Sequence, residues 1–181
     1  MTRTDLLIFD TGPLSHFARE NWLGALKAVV GERTAVMPDV VVDELKRGLG
    51  SNSFVQAVLD APWLGRRDLQ SVEEIERFAH YSSLLVAGDR NRGEAGVLAL
   101  AATTGGTAVV DDLAGRKAAK RDGIPHTGTL GLLMQAIQSG LLTVALVSAI
   151  ADDLLAGAYR LPFRPGGFAA WAEENGFIGT A

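Results

Sequence analysis

The sequence of 181 residues contains no cysteine, and this absence excludes several kinds of protein at once. Without cysteine there is no disulfide framework, no thiol nucleophile and no zinc site built on thiolates. A chain of this kind suits a reducing compartment, so we expect a cytoplasmic protein. Histidine is scarce too, and because no two histidines stand at metal-ligand spacing we interpret His16, His80 and His126 as structural.

Long apolar runs and an excess of positive charge are also missing. The apolar run in MTRTDLLIFD is too short for a signal peptide or a membrane span, and Asp152 and Asp153 interrupt the longest other apolar stretch. We therefore expect no membrane association. With a net charge of −4 the chain lacks the overall basic field of a non-specific nucleic-acid binder. Any phosphate-binding surface must be local or depend on a metal ion.

What the sequence does contain is a globular composition and an alternation of short strands with helices. Hydrophobic residues make up 48% of the chain and charged residues 21%, which is typical of one folded domain. Short apolar runs at 6–10, 34–38 and 107–110 alternate with helical segments, which predicts a three-layer α/β fold with a mostly parallel sheet. We expect the main domain to cover residues 1–160 and a C-terminal extension, 161–181, to pack on it.

Two helices begin with clear signals. Asp39 is expected to cap the helix that follows the second strand. Ser71 and Glu74 form a Ser-x-x-Glu capping box at the start of a later helix. Apolar residues then follow at helical spacing: Val72, Ile75, Phe78 and Ala79.

Acidic residues recur where strands end and where helices begin. Asp10 ends the first strand, Glu44 lies on the helix after the second, and Glu94 opens a buried helix, while Asp111 and Asp112 together end a later strand. Ligands of an open parallel sheet bind beyond the carboxyl ends of its strands, so acids from neighbouring strands meet there. Such acids repel one another unless a cation joins them. Hard divalent ions such as Mg²⁺ or Mn²⁺ take oxygen ligands of this type.

Each of these acids alone also has a structural interpretation. Asp10 and Asp112 could cap the helices that follow them, Glu44 could be a solvated helix residue, and Glu94 could interact with a helix dipole. The double acid is harder to explain, since a cap needs only one carboxylate. Arg116, four residues past the pair, could neutralise the acids or hold a phosphate.

At these residues the sequence resembles the PIN-domain ribonucleases, in particular the prokaryotic branch that contains the VapC-type toxins and related nucleic-acid-binding proteins. The matching segments cover roughly residues 5–160, in the order IFDTGPLSHFA, PDVVVDELKRG, RGEAGVLALAA and AVVDDLAGRKAAKRDGIPHTGTLGLLMQA. The resemblance implies a three-layer α/β/α PIN-like fold with acids in a central groove. It also implies a ribonuclease that depends on Mg²⁺ or Mn²⁺ and hydrolyses RNA phosphodiester bonds.

The resemblance assigns roles to individual positions. It implies that four acids are catalytic: Asp10, Glu44, Glu94 and Asp112. It implies metal ligation by Asp10, Glu94, Asp111 and Asp112, and we favour Asp112 as the main ligand of the pair. Thr11 matches the hydroxyl residue that follows the first acid, and we expect it to bind substrate phosphate together with Arg116.

A VapC-type toxin further implies a cognate antitoxin protein, a homodimer and an RNA substrate. Three alternatives compete with this interpretation. The segment LLIFDTG resembles the first motif of haloacid-dehalogenase-like phosphatases, but Gly12 stands where their second acid belongs. The letters FDTG also resemble aspartic proteases, which are all-β proteins. The third alternative is a PIN-like domain without activity that serves as a nucleic-acid-binding or scaffold module, which loss of an acid would favour.

Overall fold

The computed structural model describes residues 5–48, 53–85 and 91–178. In this part of the chain a five-stranded sheet forms the centre of the protein, in the order β3-β2-β1-β4-β5. Every neighbouring pair is parallel. The strands are β1 (Leu6–Phe9), β2 (Thr34–Pro38), β3 (Leu64–Arg67), β4 (Thr107–Val109) and β5 (His126–Thr127). A parallel α/β sheet with flanking helices confirms the predicted fold class and excludes the all-β alternative.

Helices connect the strands and cover the sheet. They are α1 (Thr11–Arg19), α2 (Leu23–Val30), α3 (Asp39–Arg47), α4 (Ser53–Leu59), α5 (Val72–Leu85), α6 (Arg92–Thr104), α7 (Leu113–Arg121), α8 (Thr129–Gln138), α9 (Val144–Ala156) and α10 (Phe168–Glu174). Among the helices that the structure describes, none has the length and apolar character needed to cross a bilayer.

The core lies around β1 and helix α6. Ile8 and Phe9 of β1 are fully buried, as expected for the central strand of a parallel sheet that is covered on both faces. In α6 every residue from Gly93 to Ala101 is buried. Gly96 lets α6 approach α3 closely, because a side chain at this position would collide with Val40. The small residues of the segment RGEAGVLALAA therefore bring the first turn of α6 against the carboxyl edge of the sheet.

The order of the strands reverses direction at β1, which lies between β2 and β4. Such a switch point opens a crevice beyond the carboxyl ends of the two central strands. Asp10 follows β1 and donates its backbone N–H to the carbonyl of Val109 at 3.1 Å, next to the acids that follow β4. The predicted meeting of these acids at one edge of the sheet is confirmed.

The C-terminal segment packs on α9. Phe168 and Ala172 of α10 are fully buried, and the backbone N–H of Gly166 donates to the Asp152 carboxylate at 2.7 Å. The expected division into a main domain, 1–160, and an extension that packs on it, 161–181, stays a prediction.

The structure agrees with the two predicted helix starts only in part. Asp39 is the first residue of α3 rather than its cap, which is Pro38, and the Asp39 carboxylate accepts a hydrogen bond from the Val40 N–H. The Ser71–Glu74 capping box is present, with hydrogen bonds of 2.9 and 3.1 Å. The apolar residues beyond it are helical, but Val72 is 74% exposed and Ile75 53% exposed, whereas Glu74 is buried.

Candidate metal and nucleic-acid site

Asp10 lies at the centre of the acidic site, between β1 and α1. It is the N-cap of α1, and its Oδ2 accepts a hydrogen bond from the Gly12 N–H at 3.4 Å. Burial, followed by the charges of Glu44 and Asp111, raises the pKa of Asp10 to about 7, although the N–H groups of Thr11 and Gly12 act in the opposite direction. Asp10 therefore both caps α1 and belongs to the acidic cluster.

Glu44 reaches from α3 to the first turns of two other helices. One of its oxygens accepts a hydrogen bond from the Thr11 hydroxyl at 2.8 Å, and the other accepts from the Gly93 N–H at 2.9 Å. The Thr11 hydroxyl is therefore committed to a carboxylate, which disfavours the predicted role of Thr11 as a phosphate donor. Its position indicates instead that Thr11 orients Glu44.

Gly93 is a site residue that the sequence reasoning did not single out. A Cβ atom added to Gly93 would lie 2.6 Å from Oε2 of Glu44 and 2.7 Å from Oδ1 of Asp10. These two carboxylate oxygens consequently lie no farther apart than the sum of those distances. The available signal was the Gly-Glu pair at the start of α6, since only a residue without a side chain admits two carboxylates at a helix start.

Glu94 is the most unusual acid of the group. Its side chain is buried, with 4% relative exposure, and within the described residues its Oε2 has no hydrogen-bond partner. Burial raises the pKa of Glu94 to about 8, and the charges of Asp10 and Asp112 add to the effect. Gly115 of α7 allows the carboxylate to approach, because a Cβ there would lie 3.3 Å from Oε2.

The two adjacent acids after β4 have different surroundings. Asp111 accepts hydrogen bonds from both the N–H and the hydroxyl of Thr129, each at 2.7 Å, and so holds the first residue of α8. The Tyr159 hydroxyl also lies within hydrogen-bonding reach of Asp111, and burial together with this carboxylate raises the pKa of Tyr159 strongly. Asp111 is thereby anchored on both oxygens.

Asp112 is the exposed member of the pair. It is the N-cap of α7, where its Oδ1 accepts from the Ala114 N–H at 2.7 Å. Because a cap needs only one carboxylate, the sequence alone does not explain why there are two acids here. The structure shows that each acid serves a different helix, with Asp111 at α8 and Asp112 at α7.

An open cleft of about 1120 Å³ collects most of the predicted residues. Its lining includes Asp10, Glu94, Asp111, Asp112 and Arg116. Glu44 and Thr11 do not line the cleft, and they are hydrogen-bonded to each other next to Asp10. The structure therefore brings the predicted acids together, but in two layers: four face the cleft and Glu44 supports them.

Histidine takes a supporting position at this cleft. The ring of His16 lies edge-on to Tyr159, with 4.7 Å between the ring centres, and burial lowers the pKa of His16. His126 also lines the cleft, and its Nδ1 lies 2.9 Å from the carbonyl of Ile124. Tyr159, like Thr129, was not predicted as a site residue, because contacts across distant elements leave no local pattern.

The oxygen donors are of the type that binds a hard divalent cation, but their side chains do not yet point to one common position. Among the residues that the structure describes, no three His, Asp or Glu side chains form a group able to hold a metal ion as they stand. The buried Oε2 of Glu94 has no hydrogen-bond donor among the described residues, so this oxygen is free to act as a ligand. Mg²⁺ and Mn²⁺ prefer oxygen ligands, and carboxylates are among those that proteins supply to them. By this chemistry the site fits the predicted kind of cation.

A parallel sheet with buried acids at its switch point defines an α/β protein whose site lies at the carboxyl edge of the sheet. Residues 6–163 match the family model DUF3368, described as a PIN domain. The chain belongs to this PIN-domain family, which confirms the resemblance seen in its motifs.

Comparison with other proteins adds one structure. No curated protein matches the chain. A solved structure similar to it is that of VapBC2 from Rickettsia felis bound to a DNA fragment from its promoter. The two chains share 14% sequence identity, and the TM-score is 0.48. The match covers 68% of this chain and 98% of that chain. The family assignment is based on the family model.

Proposed function

We propose that this protein is a divalent-metal-dependent ribonuclease that hydrolyses phosphodiester bonds in RNA. PIN domains are generally nucleases, and residues 6–163 of this chain match a PIN-domain model. The resemblance of the motifs assigns the acids of such a site to Asp10, Glu44, Glu94 and Asp112. One observation supports the proposal more strongly than the others do. Glu94 holds a carboxylate oxygen that has no hydrogen-bond partner among the described residues, inside a cleft that it shares with three further acids.

The electrostatics of the cleft call for a cation. A buried carboxylate without a hydrogen-bond partner costs folding free energy, and neighbouring acids increase that cost. The pKa values of Asp10, about 7, and of Glu94, about 8, are raised by this combination. A divalent cation would relieve the desolvation and the repulsion together, because it binds the charged forms of these acids.

The hydrogen bonds suggest which oxygens are available to such a cation. Asp10 and Glu94 are the buried candidates, and Asp112, with one oxygen given to the cap of α7, is the exposed one. Asp111 is anchored by Thr129 on both oxygens, which supports Asp112 as the main ligand of the pair. When bound, a divalent cation lowers the pKa of coordinated water and offsets charge that develops on a phosphate.

The residues of the chain itself would then orient the substrate and keep the acids in place. Arg116 lines the cleft one turn after Asp112 and is exposed, so its guanidinium can bind a phosphate of the RNA backbone. Glu44, held by Thr11 and Gly93, fixes the start of α6 and with it the position of Glu94. A side-chain nucleophile is not required by this scheme.

RNA cleavage by the purified protein tests the proposal. A panel of structured and unstructured RNAs is incubated with Mg²⁺, Mn²⁺ or EDTA, using the wild type, Asp10→Asn and Asp112→Asn. Asp43→Asn is the matched control, since Asp43 is an exposed acid on α3 next to Glu44. We expect cutting with Mg²⁺ or Mn²⁺ that both site variants abolish and the control retains.

Two results would speak against the proposal. Cleavage that persists in EDTA or in both site variants would point to a contaminant or to chemistry elsewhere. If no RNA is cut and neither cation raises the melting temperature, the acids are structural and the inactive binding or scaffold module is the better description.

We also propose, from the resemblance of the motifs alone, that the nuclease is the toxin of a type II toxin–antitoxin module. This role implies a cognate antitoxin, a homodimer and action on cytoplasmic RNA. Expression of the chain in a bacterial host should then arrest growth, and Asp10→Asn should abolish the arrest. Co-expression of an adjacent small gene should restore growth. A nuclease that leaves growth unaffected would favour RNA processing instead.

A further inference from the structure

The C-terminal segment brings a group of aromatic rings to the cleft. Trp171 and Phe177 both line it, with 5.4 Å between their ring centres and 30° between their planes. Behind them, Phe163 and Phe168 pack against Trp171 at 5.4 and 6.4 Å. Trp171 and Phe177 lie beyond residue 163, where the match to the family model ends. This aromatic wall is therefore a feature of this chain in addition to the family domain.

The exposed ring of Phe177 is held at a fixed place. Just beyond helix α10, Gly176 lies in the left-handed region, at a φ of 70°. The N–H of Phe177 donates to the carbonyl of Ala172 and the N–H of Gly176 to that of Glu173, each at 2.9 Å. This pair of bonds is the Schellman motif that closes a helix. Phe177 is 39% exposed although its backbone is anchored, and its side chain lines the cleft beside Trp171.

The polar groups of the same cleft suit a nucleic acid more than an apolar ligand. Arg116 and Arg160 supply positive charge for phosphates, and the amides of Gln135 and Gln138 on α8 can both donate and accept hydrogen bonds. The acids lie in the same continuous cleft. Cations, amides and flat aromatic rings are the three kinds of group with which proteins hold unpaired nucleotides.

We propose that Trp171 and Phe177 form a stacking surface for unpaired bases of a single-stranded RNA whose backbone continues to the acids. This inference rests on the proposed ribonuclease function, since it names the form of RNA that the site would accept. In a duplex the bases are already stacked on one another and their faces are covered, so only a single strand or an open loop can use the aromatic wall.

Binding without cleavage tests this surface separately from catalysis. A short fluorescent single-stranded RNA, and the same strand annealed to its complement, are titrated with the protein in EDTA and followed by fluorescence anisotropy. The variants are Phe177→Leu, which keeps an apolar side chain but removes the ring, and Phe177→Tyr, which keeps the ring. We expect the wild type to prefer the single strand, Phe177→Leu to bind it roughly tenfold more weakly, and Phe177→Tyr to bind as the wild type does.

A second readout distinguishes stacking from a structural effect. A base that lies on Trp171 should quench tryptophan fluorescence, and Trp171→Phe should remove this quenching although Trp22 and Trp63 remain. Melting temperatures of all variants show whether each one folds. Equal affinity of Phe177→Leu and the wild type, or binding of the duplex as tight as that of the single strand, would overturn the proposal.

The outcome for the stacking surface can be separated from the outcome for the nuclease. If the wild type cuts RNA with Mg²⁺ or Mn²⁺ and Phe177→Leu binds normally, the surface is refuted and the nuclease stands. If the single strand binds through the aromatic ring but no cation supports cutting or raises the melting temperature, the surface stands and the nuclease is refuted. No binding of single-stranded RNA by the folded wild type would refute the surface and leave the aromatic wall to a protein partner.

Discussion

Glu44 on α3 accepts a hydrogen bond from the backbone N–H of Gly93, the second residue of α6, at 2.9 Å. This one contact joins two helices from different parts of the chain at the point where the next residue, Glu94, enters the cleft. The negative charge of Glu44 also lies at the positive end of the α6 dipole, where it is stabilised. The buried acid of α6 is thus placed by a second acid that does not line the cleft.

A side chain at Gly93 should disturb this arrangement. In Gly93→Ala the new methyl group would meet Oε2 of Glu44 and Oδ1 of Asp10, at 2.6 and 2.7 Å, so at least one carboxylate must move. We expect cleavage to fall more than roughly tenfold, because small displacements of catalytic groups have large effects on rate. The cost in unfolding free energy should be about 1–3 kcal/mol.

The control for this variant is Gly24→Ala. Gly24 also lies within a helix, but a Cβ atom there meets nothing within 4 Å. It should stabilise the protein by about 0.5–1 kcal/mol and leave cleavage unchanged. Denaturant melts and initial rates measure both effects, and an unimpaired rate in Gly93→Ala would contradict the described position of the two acids.

Thr129 should matter for stability through Asp111. Its hydroxyl, fully buried, donates to Oδ2 of Asp111 at 2.7 Å, and Thr129→Val removes this donor with almost no change in shape. Hydrogen bonds to charged groups contribute about 1.5–3 kcal/mol, and we expect the unfolding free energy to fall by this amount. Thr129→Ser keeps the hydroxyl and should retain most of the stability. Equal stability of the Val variant and the wild type would show that Asp111 does not depend on Thr129.

The strands, their order along the chain and the edge at which the acids meet could be predicted from the sequence. Apolar runs as short as Leu6–Phe9 ended at acids or turn residues, and the parallel α/β pattern predicted that Asp10 and the acids after β4 share one edge of the sheet if their strands are neighbours, which they are. These features are local or follow from general rules of sheet topology. They therefore leave a signal in one sequence.

Contacts between distant elements could not be predicted in the same way. The hydrogen bonds of Glu44 to Gly93 and of Asp111 to Thr129 join residues that are far apart in the chain. Which side of α5 is buried could not be predicted either, because its capping carboxylate, Glu74, faces inward where an apolar side chain would be expected. Glu74 accepts from the N–H groups of Gln70 and Ser71, and these bonds lower its pKa and offset the burial.

The raised pKa of Glu94 predicts how stability depends on pH. Its pKa rises from 4.5 to about 8 on folding, so between these values the folded protein binds a proton that the unfolded chain has released. The unfolding free energy of the metal-free protein should therefore be highest below about pH 4 and decrease as the pH rises through 8, as far as this group is concerned. Asp10, with a pKa of about 7, acts in the same direction.

Removal of the Glu94 charge should flatten this dependence. In EDTA, Glu94→Gln should melt at a higher temperature than the wild type at pH 8 and differ little from it at pH 4, where the carboxyl group is neutral. The same variant should lose cleavage. Thermal melts across this pH range measure the effect, and parallel pH profiles of the two proteins would be inconsistent with the raised pKa.

Tyr81 offers a variant that should affect stability alone. Its ring is fully buried and its hydroxyl donates to Asp122 at 2.9 Å, which links α5 to the end of α7 away from the acids. Tyr81→Phe should lower the unfolding free energy by about 1 kcal/mol and leave the cleavage rate per folded molecule unchanged. A strong loss of activity would mean that the orientation of α7 depends on this bond.

The central claim is that Oε2 of Glu94 is buried without a hydrogen-bond partner among the described residues because the cleft binds a divalent cation. Calorimetric titration of the metal-free protein with Mn²⁺ tests it most directly, with Glu94→Gln and the control Asp43→Asn measured in parallel. We predict that the wild type and Asp43→Asn bind Mn²⁺ and gain melting temperature, whereas Glu94→Gln binds at least tenfold more weakly. Equal binding by Glu94→Gln, or no binding by the wild type at pH 8, would contradict the claim.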